Sequence, residues 1–290
     1  MTSILVTGAT GRQGGSVARH LLSHGGHTVY CLVRTPTSPS AMDLSAHGAT
    51  LIPGTFDSPT ILQEACQRVK TIFLNVSPSF QHDGAEIRHA SNVLAAATHP
   101  LSTVKTLIYT SVCDLDSRST YPDWAHWEDS HPLKEYFTSK AHIETLFRQS
   151  RIENWMILRP PFFMTNFLSP SVEGYFPGLG SQGRLRTALP SGKRMMLLDP
   201  DDIGRVVARV VVEESGRFSK RVMDIGGEAL TSGQIADAIS RVTGKRVGAE
   251  EVGEDEAVGS GNCRLICRGG IGGGRIGLIL GCWRGSWGWG

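Results

Sequence analysis

The chain opens on SILVTGATGRQGGSVARHLL, an apolar strand-like run that meets four glycines before an amphipathic stretch begins. Ser3 to Thr7 reads as a strand and Gly14 to Ser23 as a helix, so Gly8, Gly11 and Gly14 fall in and just after the turn between them. Each glycine has its own physical reason. Gly8 allows the tight turn off the strand, Gly11 lets a phosphate approach bare backbone, and Gly14 lets the helix pack close to the sheet. The free N–H groups at the start of that helix then face an anion, with the positive end of the helix dipole behind them. Three glycines at this spacing are weak evidence alone. Following a strand and opening a helix at the head of a βαβ unit, they predict a dinucleotide pyrophosphate site.

The rhythm continues along the chain. Strands are expected over His27 to Val33, Thr50 to Pro53, Thr71 to Val76, Val104 to Thr110 and Trp155 to Leu158. Helices are expected over Thr60 to Arg68, Ala85 to Ala97 and Pro132 to Gln149, the last with Ser130 as its N-cap. Arg159-Pro160-Pro161 stops the final strand. This order predicts an α/β fold, a Rossmann-like doubly wound parallel sheet whose ligand sits at the carboxyl ends of the strands where their order reverses. After Pro160 a stretch rich in aromatics, Gly, Ser and Pro reads as loop and short elements. A helix over Asp201 to Glu213, a strand over Val222 to Ile225 and a helix over Ser232 to Thr243 are assigned to a small C-terminal substrate lobe. The expected division is residues 1–160 for dinucleotide binding, with strands continuing to about 228, residues 161–254 for a smaller lobe interleaved with the sheet and 255–290 for a Gly-rich tail. That tail has almost no acidic residues and no sustained period. Its Gly, Arg, Trp and Cys share G-rich codons, so a shifted reading frame or retained intron is expected ahead of a genuine disordered tail.

The end of the second strand bears on which dinucleotide binds. A carboxylate there would hold a ribose 2′-hydroxyl, but the chain reads CLVRTPTS. Arg34 stands about 20 residues beyond Gly14, where a guanidinium clamps a 2′-phosphate with the Thr37 and Ser38 hydroxyls beside it. NADP(H) is therefore expected ahead of NAD(H). A formal net charge of +2 over 290 residues gives no electrostatic basis for nucleic acid or an anionic membrane as partner. The opening residues read as a strand rather than a secretory leader, and the apolar run near Ile276 to Trp283 is too short and broken to span a bilayer. Cys31, Cys66 and Cys113 stand singly in or beside apolar segments, as small buried thiols of a reducing compartment, the cytoplasm. Cys263 and Cys267 have poor zinc spacing, and His20 and His24 read as solvent-facing, so no metal site is expected.

Taken together, TGATGRQGGSVARHLL, LVRTPTSP, GTFDSP, YTSV, TSKAHIE, ILRPPFFMTNFL and DPDDIGRVVARVV resemble the NmrA-like family of atypical short-chain dehydrogenases, over about Ile4 to Val247. The resemblance implies that Thr10, Gly11, Arg12 and Gln13 line the phosphates, with Arg34 at the 2′ position. It puts Asp57 near the adenine, Val76 and Ser77 toward the ribose, Lys140 on the nicotinamide ribose, and Phe163 and Asn166 beside the nicotinamide.

Tyr136 and Lys140 form a YxxxK pattern on a predicted helix, so phenol and ammonium share one face. In short-chain dehydrogenases the lysine lowers the tyrosine pKa, and the tyrosine protonates the carbonyl oxygen as hydride arrives. A Ser or Thr ending the fifth strand orients that oxygen; Thr110 and Ser111 are the candidates, Ser111 preferred. The bland alternative is that Tyr136 simply packs against the sheet. Trp124, His126 and Trp127 either line the substrate mouth or form a packed loop. The expected function is NADP(H)-dependent reduction of a carbonyl or conjugated double bond in a small organic metabolite. The family association implies secondary metabolism. The alternative is a non-catalytic NAD(P)-binding redox sensor that acts on a transcription regulator, a role that would extend its location to the nucleus.

Overall fold

The computed structural model describes residues 2–79, 82–120, 124–129, 131–213 and 217–253. The elements run β1 (Thr2–Val6), α1 (Arg12–His24), β2 (His27–Val33), α2 (Pro39–Ala46), β3 (Thr50–Pro53), α3 (Pro59–Cys66), β4 (Thr71–Leu74), α4 (Ala85–Ala97), β5 (Thr106–Thr110), α5 (Pro132–Gln149) and β6 (Asn154–Arg159). They continue as β7 (Phe162–Phe163), α6 (Ser171–Tyr175), α7 (Leu179–Gln182), β8 (Arg184–Thr187), β9 (Met195–Leu198), α8 (Pro200–Glu213), β10 (Arg221–Asp224), β11 (Glu228–Leu230), α9 (Ser232–Thr243) and β12 (Gly248–Glu251).

The chain divides into two compact units. The first holds the residues up to Arg159 together with Pro200–Asp224. Its sheet has seven strands in the order β10-β6-β5-β4-β1-β2-β3, and the pairings that join them are all parallel. Ile4, Leu5, Val6, Ile72, Phe73, Leu74, Leu107 and Ile108 are fully buried, as strands covered on both faces require. Chain direction across the sheet reverses between β1 and β4, and right-handed crossovers therefore send the helices of the two halves to opposite faces. The core beneath α3, α4 and α5 joins Leu62, Val93, Ile143 and Phe147 to Leu74, Leu107 and Tyr109.

Two elements that the sequence order assigns to the substrate lobe belong to this first unit. Strand β10 pairs with β6, Val222 opposite Ile157. Helix α8 packs along α1, where a Cβ on Gly204 would meet Ser16 Oγ and, at 2.7 Å, His20 Cδ2. Gly204 thus lets the two backbones close, and Asp201 fastens the contact by accepting from Ser16 Oγ at 2.9 Å and pairing with His20 at 3.0 Å. His20 is therefore held by a carboxylate, not left to solvent; His24 is exposed.

The second unit contains Pro160–Asp199 and the residues from Ile225 on. Strands β11 and β7 flank β9, antiparallel and parallel respectively, and β12 pairs with β8. Its core gathers Val172, Phe176, Leu179, Leu185, Met195, Leu197 and Ile235. Helix α9 opens on a capping box, Thr231 and Gln234 each accepting the other's backbone N–H. The Gly-rich tail, including Cys263 and Cys267, lies outside the described residues, as does Ser130. The N-cap of α5 is His131, whose ring nitrogen accepts from Leu133 N.

Candidate functional site

The turn after β1 has the geometry its glycines predict. Gly8 has φ of +60°, and a side chain there would sit 3.0 Å from the Asn75 carbonyl. A Cβ on Gly14 would meet Thr7 O at 2.6 Å and press still closer on Gly8 O, so only a glycine lets α1 start this near the sheet. Helix α1 begins at Arg12, two residues earlier than its apolar period indicates. Its N-cap, Gly11, brings no side-chain oxygen to the first turn, and no acidic residue stands there. No cap side chain thus competes for the first-turn amides, which suits an anion at this helix start. Gln13 Oε1 is buried without a hydrogen-bond partner. Thr10, Gly11 and Arg12 are exposed around it. This cradle, empty of side chains and rich in donors, fits a pyrophosphate.

Asn75 was not predicted as a site residue, although it is the polar residue that ends the apolar run TIFL. Its backbone N–H donates to Thr7 Oγ1 at 2.9 Å, and its side-chain oxygen accepts from Thr110 Oγ1 at 3.4 Å. It knits the carboxyl ends of β1, β4 and β5 together at the point where strand order reverses. Val76 beyond it is buried and Ser77 exposed.

Arg34 and Thr37 are exposed just past β2. Ser38 carries a structural duty as well. Its hydroxyl oxygen accepts from Ala41 N at 3.4 Å and caps α2, a helix the sequence reading omits although Ser38-Pro39 is a good N-cap and first-turn pair. Asp57 turns its carboxylate to α4, with Arg88 Nε at 3.3 Å, His89 Nε2 at 3.1 Å and Asn92 Nδ2 at 3.1 Å. Against desolvation, the hydrogen bonds from His89 and Arg88 hold its carboxyl below the usual range.

Tyr136 and Lys140 lie on one face of α5, as the spacing predicts, and Lys140 Nζ is 5.8 Å from the Tyr136 ring centroid. On its other side the same ammonium is 5.5 Å from the ring of Tyr109 in β5. Lys140 is buried, and its partner is the buried Glu86 of α4, with Nζ 2.7 Å from Oε1. Ser139 donates to the other oxygen of Glu86. Glu86 is the residue that sequence reasoning misses: a lone glutamate in a helix's first turn looks like a solvated, dipole-favoured position. Ser111 is buried two residues past Tyr109, on the same side of the strand, and its N–H donates to Leu158 O at 2.7 Å. Its hydroxyl faces the Tyr109 phenol, which burial above all, then Glu86, pushes well above its ordinary range.

Trp124 and Trp127 form part of an aromatic cluster rather than an open rim. The Trp127 indole stacks on His131 at 4.1 Å, and Trp124 meets Trp127 at 5.6 Å and Phe137 at 6.3 Å. Phe163 ends β7 and Asn166 lies in the 3-10 turn that follows, both in the second unit. Cys31 and Cys66 are buried free thiols pushed up to about 12 by burial, as is the partly covered Cys113. Among the described residues no group of His, Cys, Asp and Glu has the geometry to hold a metal ion, and no helix is long and apolar enough to cross a membrane.

The chain is similar to known proteins. A (4-alkanoyl-5-oxo-2,5-dihydrofuran-3-yl)methyl phosphate reductase of Streptomyces griseus is 28% identical over 88% of this chain and 78% of its own. An NmrA-like domain-containing oxidoreductase of Penicillium ochrochloron is 26% identical over 84% of this chain and 73% of its own. Among solved structures, an NADPH-dependent quinone oxidoreductase of Escherichia coli, complexed with NADPH, superposes with a TM-score of 0.68 at 24% identity, over 87% of this chain and 80% of that one. Its likeness shows the Rossmann-like fold. The model of the NmrA-like family matches residues 1–258, and the chain belongs to that family.

Proposed function

We propose that this protein is an NADP(H)-dependent reductase that acts on a carbonyl or conjugated double bond of a small organic metabolite, of the kind met in secondary metabolism. The observation that carries the reading is the approach of Lys140 on α5 to the rings of Tyr136 and Tyr109, the second of which Ser111 faces. The two relatives named above, a reductase and an oxidoreductase, support it. The quinone oxidoreductase complexed with NADPH supports the choice of cofactor.

In this reading the amides of Arg12, Gln13 and Gly14 take the pyrophosphate, and Arg34 takes the 2′-phosphate with Thr37 and Ser38. Val76, Ser77 and Asp57 border the ribose and adenine, and Phe163 and Asn166 serve the nicotinamide end. NADPH, when bound, supplies a hydride to the substrate carbon. Ser111 orients the substrate oxygen. Tyr136 gives that oxygen its phenolic proton and regains one from water, so one hydride and one proton are added across the reduced bond. Lys140, beside the Tyr136 ring, faces the ribose.

Tyr136→Phe tests the assignment. Turnover of NADPH with a responsive substrate should fall about 10²- to 10⁴-fold, while NADPH affinity by fluorescence titration stays within about threefold. Wild-type protein that binds NADPH yet never consumes it across a broad panel of carbonyls and enones would sink the reading.

A further inference from the structure

Glu86 is the feature that the reductase chemistry above leaves unused. It stands in the first turn of α4 but is only 3% exposed. Its two oxygens go to consecutive residues of α5: one lies 2.7 Å from Lys140 Nζ and the other accepts the Ser139 hydroxyl. A lone ammonium beside a phenol favours the phenolate and draws off the proton that an acid catalyst must keep. Here a carboxylate sits on that ammonium at contact distance and offsets its charge at the Tyr136 ring. A cavity of about 360 Å³ borders the carboxylate, lined by Ser79, Gly84, Lys134, Thr138 and Ser139 with Glu86 itself. It has room for several waters that could return protons to the site.

Among the described residues, other titratable groups face the pair or its cavity. Tyr109 faces it from β5, and Glu144, one turn further along α5, acts on Tyr109. At the cavity, Glu135 is paired with His82 at 2.7 Å and Lys134 with Asp129 at 2.9 Å. Glu86 is the carboxylate in contact with the lysine.

We propose that Glu86 is a positioning residue for the Tyr136–Lys140 pair: it seats the ammonium and balances its charge, so that the Tyr136 phenol keeps its proton for the substrate through neutral and mildly alkaline pH. The proposal rests on the reading of Tyr136 as the acid of a reductase. Glu86→Gln keeps the shape and removes the negative charge. The first proton lost from the Tyr136–Lys140 pair then leaves more easily, whichever group gives it up.

Two readouts test this in the full chain. The alkaline limb of the kcat/KM profile should move about one to two pH units toward acid in Glu86→Gln. The ultraviolet tyrosinate titration, taken as the difference from the same protein carrying Tyr136→Phe, should move in the same direction, and it needs no turnover. A limb and a titration that stay in place, or move toward alkali, overturn the proposal. If Glu86→Gln alone does not fold, Glu86→Gln with Lys140→Met removes both charges together. The Tyr136 titration should then stay within about half a unit of wild type, and a rise of more than a unit would show an uncompensated lysine and overturn the proposal. A shifted titration in a protein that never oxidises NADPH leaves the charge balance standing and removes the reductase. Turnover in wild type with nothing shifted in the variant does the reverse.

Discussion

At Arg34 one side chain is proposed to separate two cofactors. It is exposed at the end of β2 with no carboxylate next to it in the strand end CLVRTPTS, so a 2′-phosphate meets a cation and no repulsion. Arg34→Ala should weaken NADPH about 10- to 100-fold, the worth of a charge-assisted hydrogen bond, and leave NADH within about threefold. Equal losses for both nucleotides, by fluorescence titration, would remove Arg34 from the 2′ position. Such residues are legible in a sequence because their job is local. Gly8 and Gly14 are conspicuous for the same reason: the turn they make is closed within a few residues. Glu86 is not legible in that way. Its burial depends on α5, more than 45 residues further along the chain (Lys140 and Ser139 close over it), and a single glutamate cannot announce a distant partner.

At the scale of elements, the parallel sheet follows from apolar runs covered on both faces, and its first six strands all appear within two residues of their expected bounds, β4 stopping two residues early at Leu74. Strands β7, β8, β9, β11 and β12 are no longer than β3 and β4, but they stand outside the alternating strand–helix rhythm that makes those two legible. The end of β6 shows what local reading leaves out. Arg159 is 4% exposed in its side chain and is forked between Asp116, at 2.7 and 3.0 Å, and Glu144, at 2.8 and 2.7 Å. Glu144 is fully buried and also holds Arg148 at 2.7 Å. Glu144→Ala leaves the guanidinium buried with only the exposed Asp116, and urea denaturation should report a loss of about 3–5 kcal/mol. Replacing the pair together, Glu144→Met with Arg159→Met, should recover most of that loss, since apolar groups of similar volume often match a buried ion pair. A double variant as unstable as the single one would show that the fork does more than neutralise charge.

For the whole molecule, acid stability collects terms of both signs. Asp116 is held below the usual carboxylate range by hydrogen bonds from Arg159, so its contribution is present above the unfolded value and is lost as pH falls through the lower, folded one. Asp224, in register with Arg159 at the end of β10, and Asp114 run the other way. Desolvation raises both, so the folded protein binds their protons more tightly, and their burial costs stability at neutral pH. Asp224→Asn should raise Tm by about 2 °C at pH 7 and by clearly less at pH 4, because the penalty fades as the folded carboxyl takes up its proton. Calorimetry at the two pH values checks this, and an equal change at both would place the effect in packing. Helix α4 serves two places at once. Its first turn carries Glu86, and Arg88, His89 and Asn92 just behind it grip Asp57 in the loop before α3. Both loads hang on the N-terminal half of one spar. A substitution that tilts it displaces the lysine and the Asp57 loop in one movement, and a defect at either place should be read with the other in view.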